Sequence, residues 1–433
     1  MIQKVLPGTR SGRAFIPASK SRAHRLMICA ALCRQEVSLG CRGISRDIEA
    51  TAACLGAMGT EVTFSGDLIR LRPDPGGTRD PVLLKCGESG STLRFLLPVA
   101  GALGLGGKFV MEGRLPERPL QPLWDVLCEK GMRLERRGNE LLFSGKLQPG
   151  AFEIPGNISS QYVSGLLFAL PLLEGESTLT VTGRIESADY IAMTEEALSQ
   201  FGVPTEKLGN RTRIPAQGYA CRNGDIPRLL EVEGDWSSAA FFLSLGALSP
   251  EGVTALNLDP ASRQGDRRIV SLLEGFGART ETGEKGITVR AGELRGQHID
   301  ASAIPDLVPV LAAVAAVSRG ETVIDHAERL RLKESDRLRT TTDMLTALGA
   351  EIRETADGLI IRGKPQLRGG RVSSFRDHRI AMSAAVAASA CTEPVEIEDA
   401  ECTEKSFPGF WETLGGLARH EDGKDSNAKG DRT

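Results

Sequence analysis

Small polar residues followed at once by Ala/Leu/Val-rich stretches carry most of the reactive side chains in this chain. The sets are Lys20-Ser21 with Arg25, Gly90-Ser91 with Arg94, Ser159-Ser160-Gln161, Pro305-Asp306 and Asp377-His378-Arg379. A second group sits at the same point of successive segments: Glu117-Arg118-Pro119, Ser187-Ala188-Asp189-Tyr190, the charged run Arg329 to Arg337 with Lys333 and Glu334, and Glu404-Lys405-Ser406. The first turn of a helix has unpaired N–H groups and the positive end of the macrodipole, so such a helix start suits an anion. A Lys or Arg beside it has little purpose unless something negative meets it. Each residue also has a plainer reading: Lys20 and Arg25 as a surface face, Asp306 after Pro305 as a helix cap, His378 as a donor to a local carbonyl, and the Arg329 to Arg337 run as a solvated helix start.

The elements that must position these residues repeat. Taking Ser21, Ser91, Ser160, Ser237, Asp306 and His378 as markers, the steps are 70, 69, 77, 69 and 72 residues. Amphipathic helices ending in glycine run in step, at Leu55 to Gly59, Leu127 to Gly131, Leu198 to Gly202, Leu273 to Gly277 and Leu345 to Gly349, each Gly suited to a left-handed C-terminal position. Alternating segments after three of them read as hairpins: Glu61–Phe64 with Leu68–Leu71, Arg133–Glu135 with Glu140–Phe143, and Glu351–Arg353 with Leu359–Ile361. Six α/β units of helix, strand, helix and hairpin are therefore expected. The sixth lacks its hairpin, and Gln3–Leu6 with Arg13–Ile16 reads as one with no helix before it. Residues 1–17 are thus expected to complete the sixth unit. This gives one discontinuous domain of 1–17 plus 235–418, a second of 18–234, and a polar disordered tail at 419–433.

Composition narrows the partners. Net charge is −3 and aromatic residues make up 5% of the 433 positions, with no basic stripe for nucleic acid. No apolar run reaches membrane-spanning length and no signal-peptide core follows Met1, so a cytoplasmic protein is expected. The nine cysteines are scattered, without a C-x-x-C pair, and read as reduced, mostly buried thiols. No spacing of His, Cys and carboxylate ligands is visible, so neither metal nor organic cofactor is expected.

Taken together, Lys20-Ser21 with Arg25, Gly90-Ser91 with Arg94, Glu117-Arg118-Pro119, Ser159-Ser160-Gln161, Asp306, Leu332-Lys333-Glu334-Ser335-Asp336-Arg337, Asp377-His378-Arg379 and Lys405-Ser406-Phe407-Pro408 resemble the 5-enolpyruvylshikimate-3-phosphate synthase family, over residues 1 to 418. The resemblance implies two similar domains of three βαβαββ units each, the enolpyruvyl transferase fold, with helix N-termini turned toward an interdomain cleft that closes on its substrates. It implies transfer of the enolpyruvyl group of phosphoenolpyruvate to shikimate 3-phosphate with loss of phosphate, through a tetrahedral intermediate, on the shikimate pathway to aromatic amino acids. By the same resemblance Lys20, Ser21, Arg25, Ser159, Ser160, Gln161, Ser187, Asp306 and Lys333 hold shikimate 3-phosphate. Lys20, Gly90, Arg118, Gln161, Arg337, Arg379 and Lys405 hold phosphoenolpyruvate, with Arg94 and His378 as further site residues. Asp306 is assigned as base and Glu334 as proton donor, with Lys20 and Lys333 stabilising charge.

Charge supports this implication. Two substrates with a phosphate and a carboxylate each bring roughly six negative charges. Eight cations (Lys20, Arg25, Arg94, Arg118, Lys333, Arg337, Arg379, Lys405) less Asp306 and Glu334 leave six. Unneutralised, two unit anions about 6 Å apart at an effective dielectric of 20 repel by about 3 kcal/mol. Glu88-Ser89 stands where Asn-Ala is frequent in the family, Ala188-Asp189 where Lys-Pro is common, and Arg329 where some branches have Asn; these departures bear on finer contacts and on the response to glyphosate. The related UDP-N-acetylglucosamine enolpyruvyl transferase carries Lys-Asn at the first helix and a Cys in the loop that here spans Gly113 to Leu120. This chain has Lys20-Ser21 and no Cys in that loop. An RNA 3′-phosphate cyclase is disfavoured by the phosphoenolpyruvate-type basic set, and a non-catalytic repeat scaffold would not need Asp306, Glu334 and His378 at helix starts. A monomer acting on small molecules is expected.

Overall fold

The computed structural model describes residues 1–33, 35–73, 80–219, 227–283 and 286–421. The chain divides into two compact units: Ala18–Glu233 with Arg263–Gly265, and Met1–Pro17 with Gly234–Ser262 and Asp266 onward. Each has its own apolar core.

The Ala18–Glu233 unit holds three βαβαββ repeats. The middle one runs strand Val82–Gly87, helix Gly90–Ala102, strand Gly107–Met111, helix Leu123–Glu129 and hairpin Arg133–Arg137 with Glu140–Ser144. Its first two strands pair in parallel and the hairpin adds antiparallel beside the second. The next repeat, from Ala151–Pro155 to Arg211–Ile214, is built alike, and the first borrows its opening strand from Leu229–Glu231, which pairs with Val37–Gly40. Helices Lys20–Leu32, Gly90–Ala102 and Ser160–Ala169 are buried along most of their length, as their lack of a polar face requires. Gly165 allows two of them to meet closely, since a Cβ there would collide with the Arg94 carbonyl. Arg263–Gly265, expected with the other unit, groups here: Ser19 Oγ donates to Gln264 Oε1 at 2.9 Å.

In the second unit the same pattern recurs around helices Trp236–Ala247, Val308–Ala315 and His378–Ala388. The expected N-terminal hairpin is not formed. Ile2–Val5 pairs with Val395–Glu398, whereas Thr9–Phe15 pairs with Val253–Leu256 in a different sheet. Two sheets each present an edge needing a partner, and the bend at Pro7-Gly8, with Gly8 at φ 112°, sends one strand to each. The first residues of the expected tail are ordered. Ala418–His420 is a strand on Thr9–Ser11, with Ser11 Oγ 2.7 Å from His420 Nε2; residues 422–433 lie outside the described ones. The five helix-ending glycines, Gly59, Gly131, Gly202, Gly277 and Gly349, all have positive φ. Among the described residues no helix is long and apolar enough to cross a membrane. The described cysteines form no disulfide with one another, and burial pushes the Cys41, Cys86, Cys391 and Cys402 thiols up to about 12.

Candidate active site

In the Ala18–Glu233 unit, serine caps set the helix starts. Ser19 Oγ accepts from Arg22 N–H, Ser89 Oγ from Thr92 N–H, and Ser159 Oγ from Gln161 N–H. Ser89, one of the departures from the family pattern, thus supplies a cap that alanine could not. Lys20, at the first of these starts, donates to Asp47 Oδ2 at 2.9 Å. Arg25 lies inside, donating to Thr194 Oγ1 and to the carbonyls of Ser21 and Tyr190 at 2.7–2.8 Å, and stacking on Phe95. It has no carboxylate partner among the described residues, and burial brings its guanidinium down to about 10.

Gly90, Arg94, Arg118 and Gln161 come together. Arg94 donates to Gln161 Oε1 at 2.8 Å, and Gln161 in turn donates to Ser91 Oγ at 2.9 Å. A Cβ on Gly90 would stand 2.8 Å from an Arg94 nitrogen and 3.0 Å from an Arg118 nitrogen. Two guanidiniums therefore lie beside this helix start, a fit for a phosphate or carboxylate. Ser160 is buried, and Ser187 precedes helix Ala188–Gln200 in the left-handed conformation, φ 53°. Sequence reasoning missed Asp47, and it missed a buried chain in which His24 Nδ1 lies 2.6 Å from Thr51 Oγ1, Thr51 Oγ1 lies 2.6 Å from Thr92 Oγ1, and Thr92 donates to Ser89 Oγ at 2.7 Å. This chain ties the Lys20 helix to the Gly90 helix. Burial brings His24 down to about 3, so it is neutral.

The other unit gathers its residues around one guanidinium. Arg337, 1% exposed, donates to Asp377 Oδ2 (2.8 Å), Asp306 Oδ1 (2.8 Å) and Glu334 Oε2 (2.9 Å). Arg379 donates to Asp306 Oδ2 at 3.1 Å, Lys333 Nζ lies 3.6 Å from Asp306 Oδ1, and Lys405 Nζ lies 3.7 Å from Glu334 Oε1. Asp306 does not cap its helix, which begins instead through the 3-10 turn Pro305–Leu307. Burial alone would raise the Asp306 pKa, but Arg379, Lys333 and Arg337 hold it well below the usual carboxylate range. Asp377 is likewise lowered, Arg337 overcoming the effect of burial. His378 is not the carbonyl donor its position suggested: both ring nitrogens are buried without a hydrogen-bond partner among the described residues, and burial brings it down to about 3.

Asp266 belongs to the same neighbourhood and was not legible beforehand. It accepts from Ser237 Oγ; burial and then the Asp306 charge raise it to about 7. Two carboxyls are thus pushed apart, one ionised and one able to carry a proton near neutrality, which is the pattern of an acid/base pair. In each unit an acidic residue outside the expected set is paired with one of the expected cations, Asp47 with Lys20 in one and Asp377 with Arg337 in the other.

βαβαββ repeats gathered into two compact units are the fold of an enolpyruvyl transferase. The chain belongs to the EPSP synthase (3-phosphoshikimate 1-carboxyvinyltransferase) family, which matches residues 7–414. It is 42% identical over 415 residues to the 3-phosphoshikimate 1-carboxyvinyltransferase of Clostridium kluyveri, covering 95% of this chain and 96% of the relative. It is 41% identical over 425 residues to that of Clostridium perfringens, covering 96% and 99%. EPSP synthase from Acinetobacter baumannii shares the fold, with a TM-score of 0.76 at 24% identity, covering 97% of this chain and all of the other. The activity is that of the family: the carboxyvinyl group of phosphoenolpyruvate passes to the 5-hydroxyl of shikimate 3-phosphate, with release of phosphate, on the shikimate pathway.

Proposed function

We propose that the two clusters divide the work of this reaction as follows. Lys20, Ser21, Arg25, Ser159, Ser160, Gln161, Ser187, Asp306 and Lys333 take shikimate 3-phosphate; Lys20, Gly90, Arg118, Gln161, Arg337, Arg379 and Lys405 take phosphoenolpyruvate; Arg94 positions Gln161. Arg25 acts mainly through its charge, since four of its N–H groups are already donated to Thr194, Ser164, Tyr190 and Ser21. Asp306 is the base for the 5-hydroxyl, Glu334 the donor to the methylene, and Lys20 and Lys333 steady the developing charge.

The observation that carries this reading is the hold of Lys333, Arg337 and Arg379 on Asp306. So held, Asp306 is a poor base. Substrate anions compete for the same cations, and each one they draw off raises the proton affinity of Asp306, so basicity develops only when the substrates are bound. A second reading of the acid is favoured by Asp266, whose raised pKa lets it hold a proton near neutral pH. The protein is read as a cytoplasmic monomer, and glyphosate as a competitor for the Gly90–Arg118 region. The deciding experiment is phosphate release with both substrates and with each alone, together with exchange of solvent hydrogen into the methylene in Glu334→Gln and Asp266→Asn. Release with one substrate alone would reject the transfer reading. Exchange lost only in Asp266→Asn would move the acid role to Asp266.

A further inference from the structure

Outside the Arg337 network, two histidines and two aspartates meet where two parallel strands end. His298 and Asp300 lie on one strand, His298–Asp300, and Asp325 ends its neighbour, Glu321–Asp325, with Asp300 directly opposite Asp325. Like charges opposed across a sheet repel. His326 follows in the left-handed conformation, φ 54°. Its Nδ1 is 3.0 Å from Asp325 Oδ1 and 3.5 Å from Asp300 Oδ1, and one ligand atom from each of the three residues falls within 4.8 Å of the others.

We propose that His326 Nδ1, Asp300 and Asp325 bind a divalent transition metal of the zinc class. Tetrahedral ligands with bonds of 2.0–2.1 Å stand about 3.3 Å apart, and the observed 3.0 and 3.5 Å bracket that edge. A second observation is Asp325 Oδ1, which is shielded from solvent yet accepts no hydrogen bond among the described residues, although His326 Nδ1 lies 3.0 Å away, while its Oδ2 takes His298 Nε2 at 2.6 Å. An ion between this oxygen and the His326 nitrogen would satisfy both, and His298 holds the carboxylate in the manner of an outer-shell partner. Ser302 N–H fixes Asp300 Oδ1 at 2.9 Å. An imidazole with two carboxylates suits zinc, cobalt or nickel, whereas calcium and magnesium want an all-oxygen shell. The bound ion would tie the two strand ends at the point where the chain enters the Glu328–Leu332 turn leading to Lys333 and Glu334.

The test uses the full chain, stripped with chelator and desalted, titrated with Zn²⁺ in a calorimeter and with Co²⁺ by visible absorption, with no substrate present. The expected result is saturable binding of about one ion per chain and cobalt bands of tetrahedral type. His326→Ala should abolish that binding, and His298→Ala should weaken it about 10–100-fold. Both side chains are about half-exposed or more, so the variants should fold, which circular dichroism and turnover check. No saturable binding, or binding undiminished in His326→Ala and Asp325→Asn, would overturn the proposal; the cluster would then be a set of histidine–carboxylate ion pairs only.

Discussion

Arg118 and Arg337, both assigned to phosphoenolpyruvate, sit in very different surroundings. Arg337 spends its donors on Asp377, Asp306 and Glu334 before any substrate arrives. Removing it leaves buried carboxylates without a countercharge, so Arg337→Ala should lower folding stability by about 3–5 kcal/mol as well as weaken phosphoenolpyruvate. Arg118→Ala should weaken phosphoenolpyruvate far more than shikimate 3-phosphate, with little loss of stability. Urea melts read beside calorimetric titrations separate the two, and equal stability losses would reject the distinction. Asp306→Asn keeps the shape of the residue but cannot accept a proton, so kcat should fall by about 10²–10⁴. Shikimate 3-phosphate binding should fall much less, because Lys20, Arg25 and the Ser159-Ser160 pair remain. Near-normal kcat in steady-state assays would remove Asp306 as the base.

At the level of elements, the proposed roles put the chemistry at the helix starts, and Gly90 tests this most directly. The Cβ of Gly90→Ala would meet the tips of Arg94 and Arg118, both ends of long side chains that can move. The fold should therefore survive while the two forks are displaced, raising KM for phosphoenolpyruvate and the inhibition constant for glyphosate, with less effect on shikimate 3-phosphate. Unchanged inhibition kinetics would place Gly90 away from the bound anion. These starts were readable in the sequence because capping and periodicity are local: Ser19, Ser89, Ser159, Asp235 and Asp377 sit immediately before apolar runs, and glycines end the second helices. What pairs through space was not. Asp47 against Lys20, Asp266 beside Asp306 and the His24–Thr51–Thr92 chain join residues 27 or more positions apart with no local signal. The N-terminal strands misled for the same reason. Gln3–Leu6 and Arg13–Ile16 read as a hairpin, whereas strands far along the chain take one each.

For the molecule as a whole, the two cores carry buried titratable groups that make their acid responses different. His24, in the Ala18–Glu233 unit, lies near 3 folded against 6.5 in a free histidine, because burial disfavours its charge. Its contribution to stability is complete above pH 6.5 and is lost as pH falls toward 3, because the unfolded chain takes up a proton that the folded one refuses. One proton corresponds to about 1.4 kcal/mol per pH unit. In the other unit His378 behaves the same way, but Asp266 works against it. Its folded value of about 7 lies above the 3.8 of a free carboxyl, so between about pH 7 and 4 the folded state gains the proton and stability rises as pH falls. The two effects nearly cancel. Asp306 and Asp377, both lowered, come into play only below the free carboxyl value of 3.8. Acidification from pH 7 to 4.5 should therefore weaken the Ala18–Glu233 unit by roughly 1 kcal/mol per pH unit through the lower part of that range while the other changes little. Pulse-labelling hydrogen exchange across a urea titration resolves them, through helix Lys20–Leu32 for the first and helix His378–Ala388 for the second. Asp266→Asn should then make the second unit as acid-sensitive as the first, because His378 is left without its opposing group. Identical midpoint shifts for the two helices in the unaltered protein, or no added sensitivity in Asp266→Asn, would show that these buried groups do not govern the acid response.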